Sequence, residues 1–222
     1  MANRVFSPLV DRLLNQRVAA DRLSQYSLLA LLSQNGRYAA LGLLAVAFQP
    51  LASTMLGYRQ RDAAFPILLD FEQPRILQFV DTRNADFAVT PPPEAWSAPE
   101  GNHVARITYA PVQYPAFIVR ELHADWSGYE RLEFEIYCAD ENPVPLVIRI
   151  DDAAHNGYYA DRFNQRIPLQ PGHNRIAIAL ADVRSAPRDR DMDLSRMRSL
   201  TLFAGEPSEA ITYWVDGFRL VK

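Results

Sequence analysis

From Pro66 onward apolar residues recur at every second position, and this alternation restricts that part of the chain to strands. In RLEFEIYC, Leu132, Phe134, Ile136 and Cys138 fall on one side and Glu133, Glu135 and Tyr137 on the other, because successive side chains of a strand point to opposite faces. PLVIRID repeats the pattern, with Leu146, Ile148 and Ile150 inward and Arg149 and Asp151 outward. NRIAIAL turns Ile176, Ile178 and Leu180 inward, and SLTLFAG and AITYWVDGFRLV complete the set. Gly217 interrupts the last run where a bulge would fit. ILLDFE, ILQFV, DFAVT, HVARITY and AFIVREL are five earlier candidates. Short strands punctuated by Pro, Gly, Asn and Asp turns predict an all-β, antiparallel β-sandwich over residues 66–222, long enough to bury a core of its own.

The first 65 residues follow a different rule. SPLVDRLLNQRVAADRL, within residues 1–36, reads as an amphipathic helix with Ser7 as N-cap and Pro8 in the first turn. Such a helix could lie on a membrane surface or pack on a partner. Residues 39–57 contain no charge, about the span a bilayer core demands. A transmembrane anchor is therefore expected over residues 37–57, with RQRDAAFP (residues 59–66) beyond it read as a linker filling residues 58–65. Two other readings compete: AVA at residues 45–47 fits a signal-peptidase site, and a helix buried on a partner would have the same composition. The first 38 residues hold five arginines against two aspartates, and the whole chain is −3, leaving an acidic body. A basic head before an uncharged span predicts an N-terminus in the cytoplasm and a single-pass protein with its C-terminal domain outside, in the periplasm if the host is a bacterium with this anchor in its inner membrane.

Several function classes are excluded or disfavoured. An overall charge of −3 gives no footprint for nucleic acid. The single cysteine, Cys138, allows neither an intrachain disulfide nor a Cys-rich metal cluster. The sequence contains no Gly-rich phosphate loop, G-x-S-x-G elbow or H-E-x-x-H. Asp151 and Glu135 could hydrolyse a glycoside only if a cleft held their carboxyls about 5 to 9.5 Å apart. No nucleophile–base arrangement is legible, so the expectation is a non-catalytic protein.

LLDFE, DWSGYERLEFEIY, IPLQPGHNRIAIAL, MDLSRMRSLTLF and TYWVDGFRLV occur in an order that resembles the jelly-roll domains of the galactose-binding-like class. That class includes many carbohydrate-binding modules and the complex I intermediate-associated protein 30 type. The resemblance covers residues 66–222. The same segment is similar to C-terminal extensions of some VanZ-like membrane proteins, but the multi-span part of that family is missing here, so its activity does not carry over. The resemblance implies a jelly-roll topology and a carbohydrate partner. It also implies a structural calcium where the first and last strands meet, with Asp70, Glu72 and Asp216 in the matching phrases; carboxylate oxygens suit that ion, and solvated or paired carboxylates are the alternative.

The richest stretch is IRIDDAAHNGYYADRFNQ. If the strand RLEFEIY pairs nearby, Glu135 and Tyr137 join Arg149 and Asp151 on one polar face. Asp152, His155, Tyr158, Tyr159, Arg162 and Asn164 extend it from the following loop. Aromatic rings that stack on sugar C–H surfaces, set among planar hydrogen-bonding groups, make a saccharide site. Arg149, Asp151 and Arg162 are expected to pair and stiffen the loop. RDRDMD (residues 188–193) alternates in sign and reads as solvated. Trp126 and Trp214 are expected in the core or at its rim, and Trp96, in a proline-rich loop, is expected to be exposed. The leading expectation is a membrane-anchored, extracytoplasmic carbohydrate-binding-like module. The alternative is an interaction or assembly module that the N-terminal helices recruit to a membrane protein complex; a flat apolar patch would mark it.

Overall fold

The structure is a computed structural model that describes residues 38, 41–96 and 101–222. The chain divides into two compact units, Met1–Ala52 and Ser53–Lys222. The expected amphipathic segment at residues 1–36 lies outside the described residues.

Helix α1 runs from Leu41–Ala64 and is long and apolar enough, by length and composition, to cross a membrane. Its side chains Leu43, Leu44, Val46, Phe48 and Leu51 are exposed, a surface that water disfavours. The structure departs from expectation at residues 58–65: α1 continues to Ala64, so the predicted linker is helical almost throughout. Arg, Gln and Ala are good helix formers, and Pro66 supplies the stop, since a residue before proline avoids helical geometry. Gly57 is buried, and a Cβ there would sit 1.5 Å from Gln78 Nε2 and 3.2 Å from the Arg75 carbonyl oxygen. The end of α1 can therefore lie close on the turn at Ile76–Phe79. Tyr58 packs on Phe79 with ring centroids 5.1 Å apart. Its hydroxyl donates to the Glu121 carboxylate, and Arg61 donates to the Glu121 carbonyl at 2.7 Å.

Eleven strands are found among the described residues: β1 (Ile67–Leu69), β2 (Val80–Arg83), β3 (Ala85–Thr90), β4 (Val104–Tyr109), β5 (Ala116–Arg120), β6 (Arg131–Cys138), β7 (Leu146–Asp152), β8 (Phe163–Ile167), β9 (Gly172–Ala179), β10 (Met197–Ala204) and β11 (Ile211–Val221). A short helix, α2 (Leu180–Arg184), follows β9. One sheet has the order β3-β4-β11-β6-β9, with β1 also on β11; the other has β2-β5-β10-β7-β8. All pairs are antiparallel. The all-β sandwich expected from the alternation is thus the observed fold.

The core lies between the sheets, where Leu132, Phe134 and Ile136 of β6 meet Leu146, Ile148 and Ile150 of β7 and Leu200 and Leu202 of β10, all essentially inaccessible. In β11 the inward residues change phase. Tyr213 and Val215 are buried before Gly217, Phe218 and Leu220 after it. The register against β6 shifts between Asp216 and Arg219, and Gly217 has φ 68°. The bulge foreseen there turns Phe218 inward to stack on Phe134 at 4.7 Å. Trp126 is fully buried. ILQFV is not one strand: Ile76–Phe79 form a 3₁₀ turn and only Val80 enters β2.

Candidate functional site

Consecutive strands repeatedly change sheets, and this divides the expected binding surface. β6 pairs with β11 and β9, whereas β7 pairs with β10 and β8. Glu135 and Tyr137 therefore face outward from one sheet, Arg149 and Asp151 from the other, with the core between. The adjacency expected from the sequence is thus incorrect. Neighbouring strands usually pair, but here the connection after Cys138 carries the chain across the sandwich. An Asp151–Glu135 acid pair across one substrate bond is ruled out by the same geometry.

On the first face, Tyr137 is covered. Trp96 stacks on it, with centroids 6.0 Å apart and planes at 11°. His173 Nε2 lies 2.6 Å from Glu135 Oε2, and the Trp96 indole N–H points at the same carboxylate oxygen from 3.4 Å. Trp96 is buried rather than exposed, because the proline-rich loop folds back over the sheet.

The second face is open. Register aligns its outward residues in cross-strand rows: Asp81, Ile118, Thr201, Arg149 and Asn164 form one, and Arg120, Ser199 and Asp151 the next. A groove of about 370 Å³ lies over them, floored by Ile118, Ser199 and Thr201 and walled by Arg120, Arg149 and Arg198 with Glu121, Asp151 and His155. Arg198 enters because the β10 register shifts between Met197 and Ser199. Among the described residues lining the groove, none is Phe, Tyr or Trp.

Arg149 fixes one wall. Its Nε donates to both Asp151 oxygens at 3.0 and 2.8 Å, and Ser199 Oγ donates to Asp151 Oδ2 at 3.1 Å. Arg149 Nη2 lies 3.2 Å from His155 Nε2. A guanidinium can only donate, so Nε2 accepts and the ring proton sits on Nδ1, which donates to the Asp161 carbonyl at 2.8 Å. His155 is thereby a strut of the loop.

Asp152, expected as a ligand group, is fully buried. Arg190 grips it through Nη2 at 2.7 Å and holds Asp161 through Nε at 2.6 Å. The Asp193 backbone N–H adds a bond to Asp152 at 2.9 Å. Burial opposes the Asp152 charge, but the Arg190 and Asp193 bonds outweigh it and hold the carboxyl below the usual aspartate range. Asp161 is likewise held low, first by Arg190 and then by the Asn156 N–H. RDRDMD is therefore not wholly solvated, contrary to expectation: Arg190 turns inward.

Arg162 does not complete the expected ion-pair triad. Its guanidinium lies over the Tyr159 ring, 5.0 Å from the centroid. Burial first, and then the neighbouring Arg149 charge, lower its pKa. Arg162 Nε and both Asn164 amide atoms are buried without a hydrogen-bond partner among the described residues. Tyr158 and Tyr159 are exposed, as a sugar platform would require. Of the ten expected ligand residues, this face gathers Arg149, Asp151, His155, Arg162 and Asn164, with Tyr159 adjoining them through Arg162. The residues missed were Arg120, Arg198, Ser199 and Thr201; outward alternation in AFIVREL and MRSLTLFA was their only sequence signal.

Asp70, Glu72 and Asp216 do not make the metal set that the resemblance implied. Glu72 Oε1 accepts the Asn102 and His103 N–H groups at 2.7 and 2.6 Å, and Oε2 lies 2.9 Å from His103 Nδ1. Asp70 Oδ1 accepts the Glu72 N–H at 3.2 Å. Among the described residues no group of three or more His, Cys, Asp or Glu is placed to hold a metal ion. Cys138 is a buried thiol whose pKa is pushed up to about 12 by burial and by Asp140, which removes it as a nucleophile.

Among solved structures, the chain is similar to the family 11 carbohydrate-binding module from Clostridium thermocellum in complex with a β-1,3-1,4-mixed-linked tetrasaccharide. The TM-score is 0.53 at 16% identity, covering 70% of this chain and 94% of that one. The fold is the jelly roll of the carbohydrate-binding modules. A second similar structure, the family 11 module of a cellulosomal cellulase from the same organism, gives a TM-score of 0.50 at 18% identity, covering 70% of this chain and 92% of that module. An exo-β-agarase matches with TM-score 0.55 at 17% identity over 69% of this chain, but this covers only 24% of that enzyme. No protein-family model matches the sequence, and no curated protein is significantly similar to it. The jelly-roll β-sandwich expected from the sequence is the fold observed.

Proposed function

We propose that this chain is a non-catalytic carbohydrate-binding module tethered to a membrane by α1, with the module on the extracytoplasmic side, the periplasm in a bacterium. The observation that carries the reading is the groove over β5, β10 and β7, where guanidinium groups and hydroxyls converge on a rigid sheet face. Strands hold such groups more firmly than loops. The module structures that share the fold, one of them holding a tetrasaccharide, support the reading. The non-catalytic part rests on the site's carboxylates: Asp151 is tied to Arg149 and Ser199, and Glu121 to Tyr58. Neither stands ready as a nucleophile or base. The charge-free run in α1 and the basic residues before it support the tether and its direction.

Thr201 lies mid-floor with its side chain outward. Replacing it by Trp should fill the groove and leave the core untouched. On a glycan array the full chain should retain saccharides that Thr201→Trp loses, with melting temperatures that agree. Equal retention by both proteins would move the site off this face, and no saccharide retained by either would end the carbohydrate reading.

A further inference from the structure

The chain beyond residue 38 is acidic, with a formal charge of −6 once the +3 of the first 38 residues is taken from the total of −3. The groove face departs from that background. Its outward positions carry Arg83, Arg120, Arg149, Arg162, Arg166 and Arg198 against Asp81, Glu121 and Asp151. All three acids are engaged: Asp81 accepts from Arg120 at 2.8 Å, Asp151 holds Arg149, and Glu121 holds Tyr58. Among the described residues, no carboxylate is paired with Arg162, Arg166 or Arg198. We infer that the groove selects an acidic saccharide of the uronate class; the inference rests on the saccharide reading above and adds the charge of the ligand.

Three features point this way. Guanidinium forks match planar carboxylates and bind them bidentately. Thr201 and Asn164 flank Arg149 in one row and Ser199 lies beside Arg120 in the next, and such groups both donate to and accept from sugar hydroxyls. Burial and then the neighbouring Arg149 charge disfavour the charge of Arg162, and Asp151 offsets this only in part; a ligand carboxylate beside Arg162 adds to that relief. A neutral glucan would offer nothing to offset that repulsion.

The test uses the full chain in an uncharged, sugar-free detergent. It is titrated calorimetrically with a galacturonate hexasaccharide, with the methyl ester of the same hexasaccharide, and with a polyglutamate of equal charge. The acid should bind at least about tenfold more tightly than the ester, a difference of about 1.4 kcal/mol. That preference should shrink when ionic strength rises from about 0.05 to about 0.3 M, where screening shortens the reach of charge. Changing both Arg166 and Arg198 to Gln should reduce the preference for the acid over the ester about tenfold and leave the melting temperature unchanged. An ester that binds as well as the acid would overturn the inference and leave the saccharide reading standing. Polyglutamate binding as tightly as the acid would reduce the face to a general anion binder and also overturn it. If neither saccharide binds, the uronate inference falls, and the glycan array decides the saccharide reading separately.

Discussion

Arg190 reaches Asp161 and Asp152 across 29 and 38 residues of sequence and joins the loop after β7 to the segment before β10. Each oxygen of the buried Asp152 is thereby hydrogen-bonded, and breaking such a pair from one side strands a charge. Arg190→Ala should lower unfolding stability by about 3 kcal/mol at neutral pH. The pH dependence supplies the sharper check. With Arg190 present, Asp152 titrates below the ordinary value of 3.8, so its contribution is full above that value and is lost as pH falls through the lower folded pKa. In the variant, burial is opposed only by the backbone N–H bonds of Asp193 and Ala154, so the same pKa should rise and acid should relieve the variant first. Urea unfolding of both proteins between about pH 6 and 3 should show the gap between them narrowing; a constant gap would assign Arg190 a packing role only. This clamp was not legible in the sequence. Asp152 and Asp161 were visible as acids in a dense loop, but their partner sat in an alternating charge run whose pattern fits a solvated segment equally well. Period-two logic places a residue on a face and says nothing about which distant loop supplies its counter-ion.

At the scale of elements the sequence was far more legible, because burial on one side of a strand imposes a period that no other element shares. β4, β5, β6, β7, β9, β10 and β11 fall where the alternation put them. β2 and β8, in VDTR and FNQRI, carry mixed polar residues at the outer ends of their sheet's order, where the demand for an apolar face is weakest. What alternation could not reveal is which strand lies beside which. That depends on the loop lengths and crossings that set β6 and β7 in opposite sheets, and the candidate site was divided for this reason. β11 offers a direct test. Its inward residues change phase at Gly217, whose positive φ is costly for residues with a Cβ. Gly217→Ala should cost only about 1 to 2 kcal/mol. Inserting an Ala after Gly217 should be far worse, since one further residue turns Phe218 and Leu220 outward and separates Phe218 from Phe134. Thermal melting followed by circular dichroism should show a lowered but cooperative transition for the substitution and none for the insertion. A cooperative melt near the wild-type temperature for the insertion would mean that β11 slips along β6 without penalty and that the bulge does not set the register.

For the molecule as a whole, the end of α1 decides how the module is carried. A short linker was expected after the apolar run; instead the helix continues to Ala64, and its last turns rest on the module through Gly57, Tyr58 and Arg61. The Ala side chain would meet the movable end of Gln78 and the fixed Arg75 carbonyl, so Gly57→Ala should be tolerated with a small shift. A Leu there is too large for the space and should lift the helix off the turn at Ile76–Phe79, exposing the bonds at Arg59 and Arg61 to trypsin. The same cleavage reports the side of the membrane. In spheroplasts, with protease added outside, the wild-type chain should resist cutting at these two arginines and Gly57→Leu should be cut, releasing the module. In sealed inverted vesicles both proteins should be protected. Cleavage of the variant in inverted vesicles alone would place the module in the cytoplasm and reverse the orientation drawn from the basic head. Equal and rapid cleavage of both proteins in spheroplasts would keep the orientation but show that the helix end is not clamped, and the module would then hang from a linker after all.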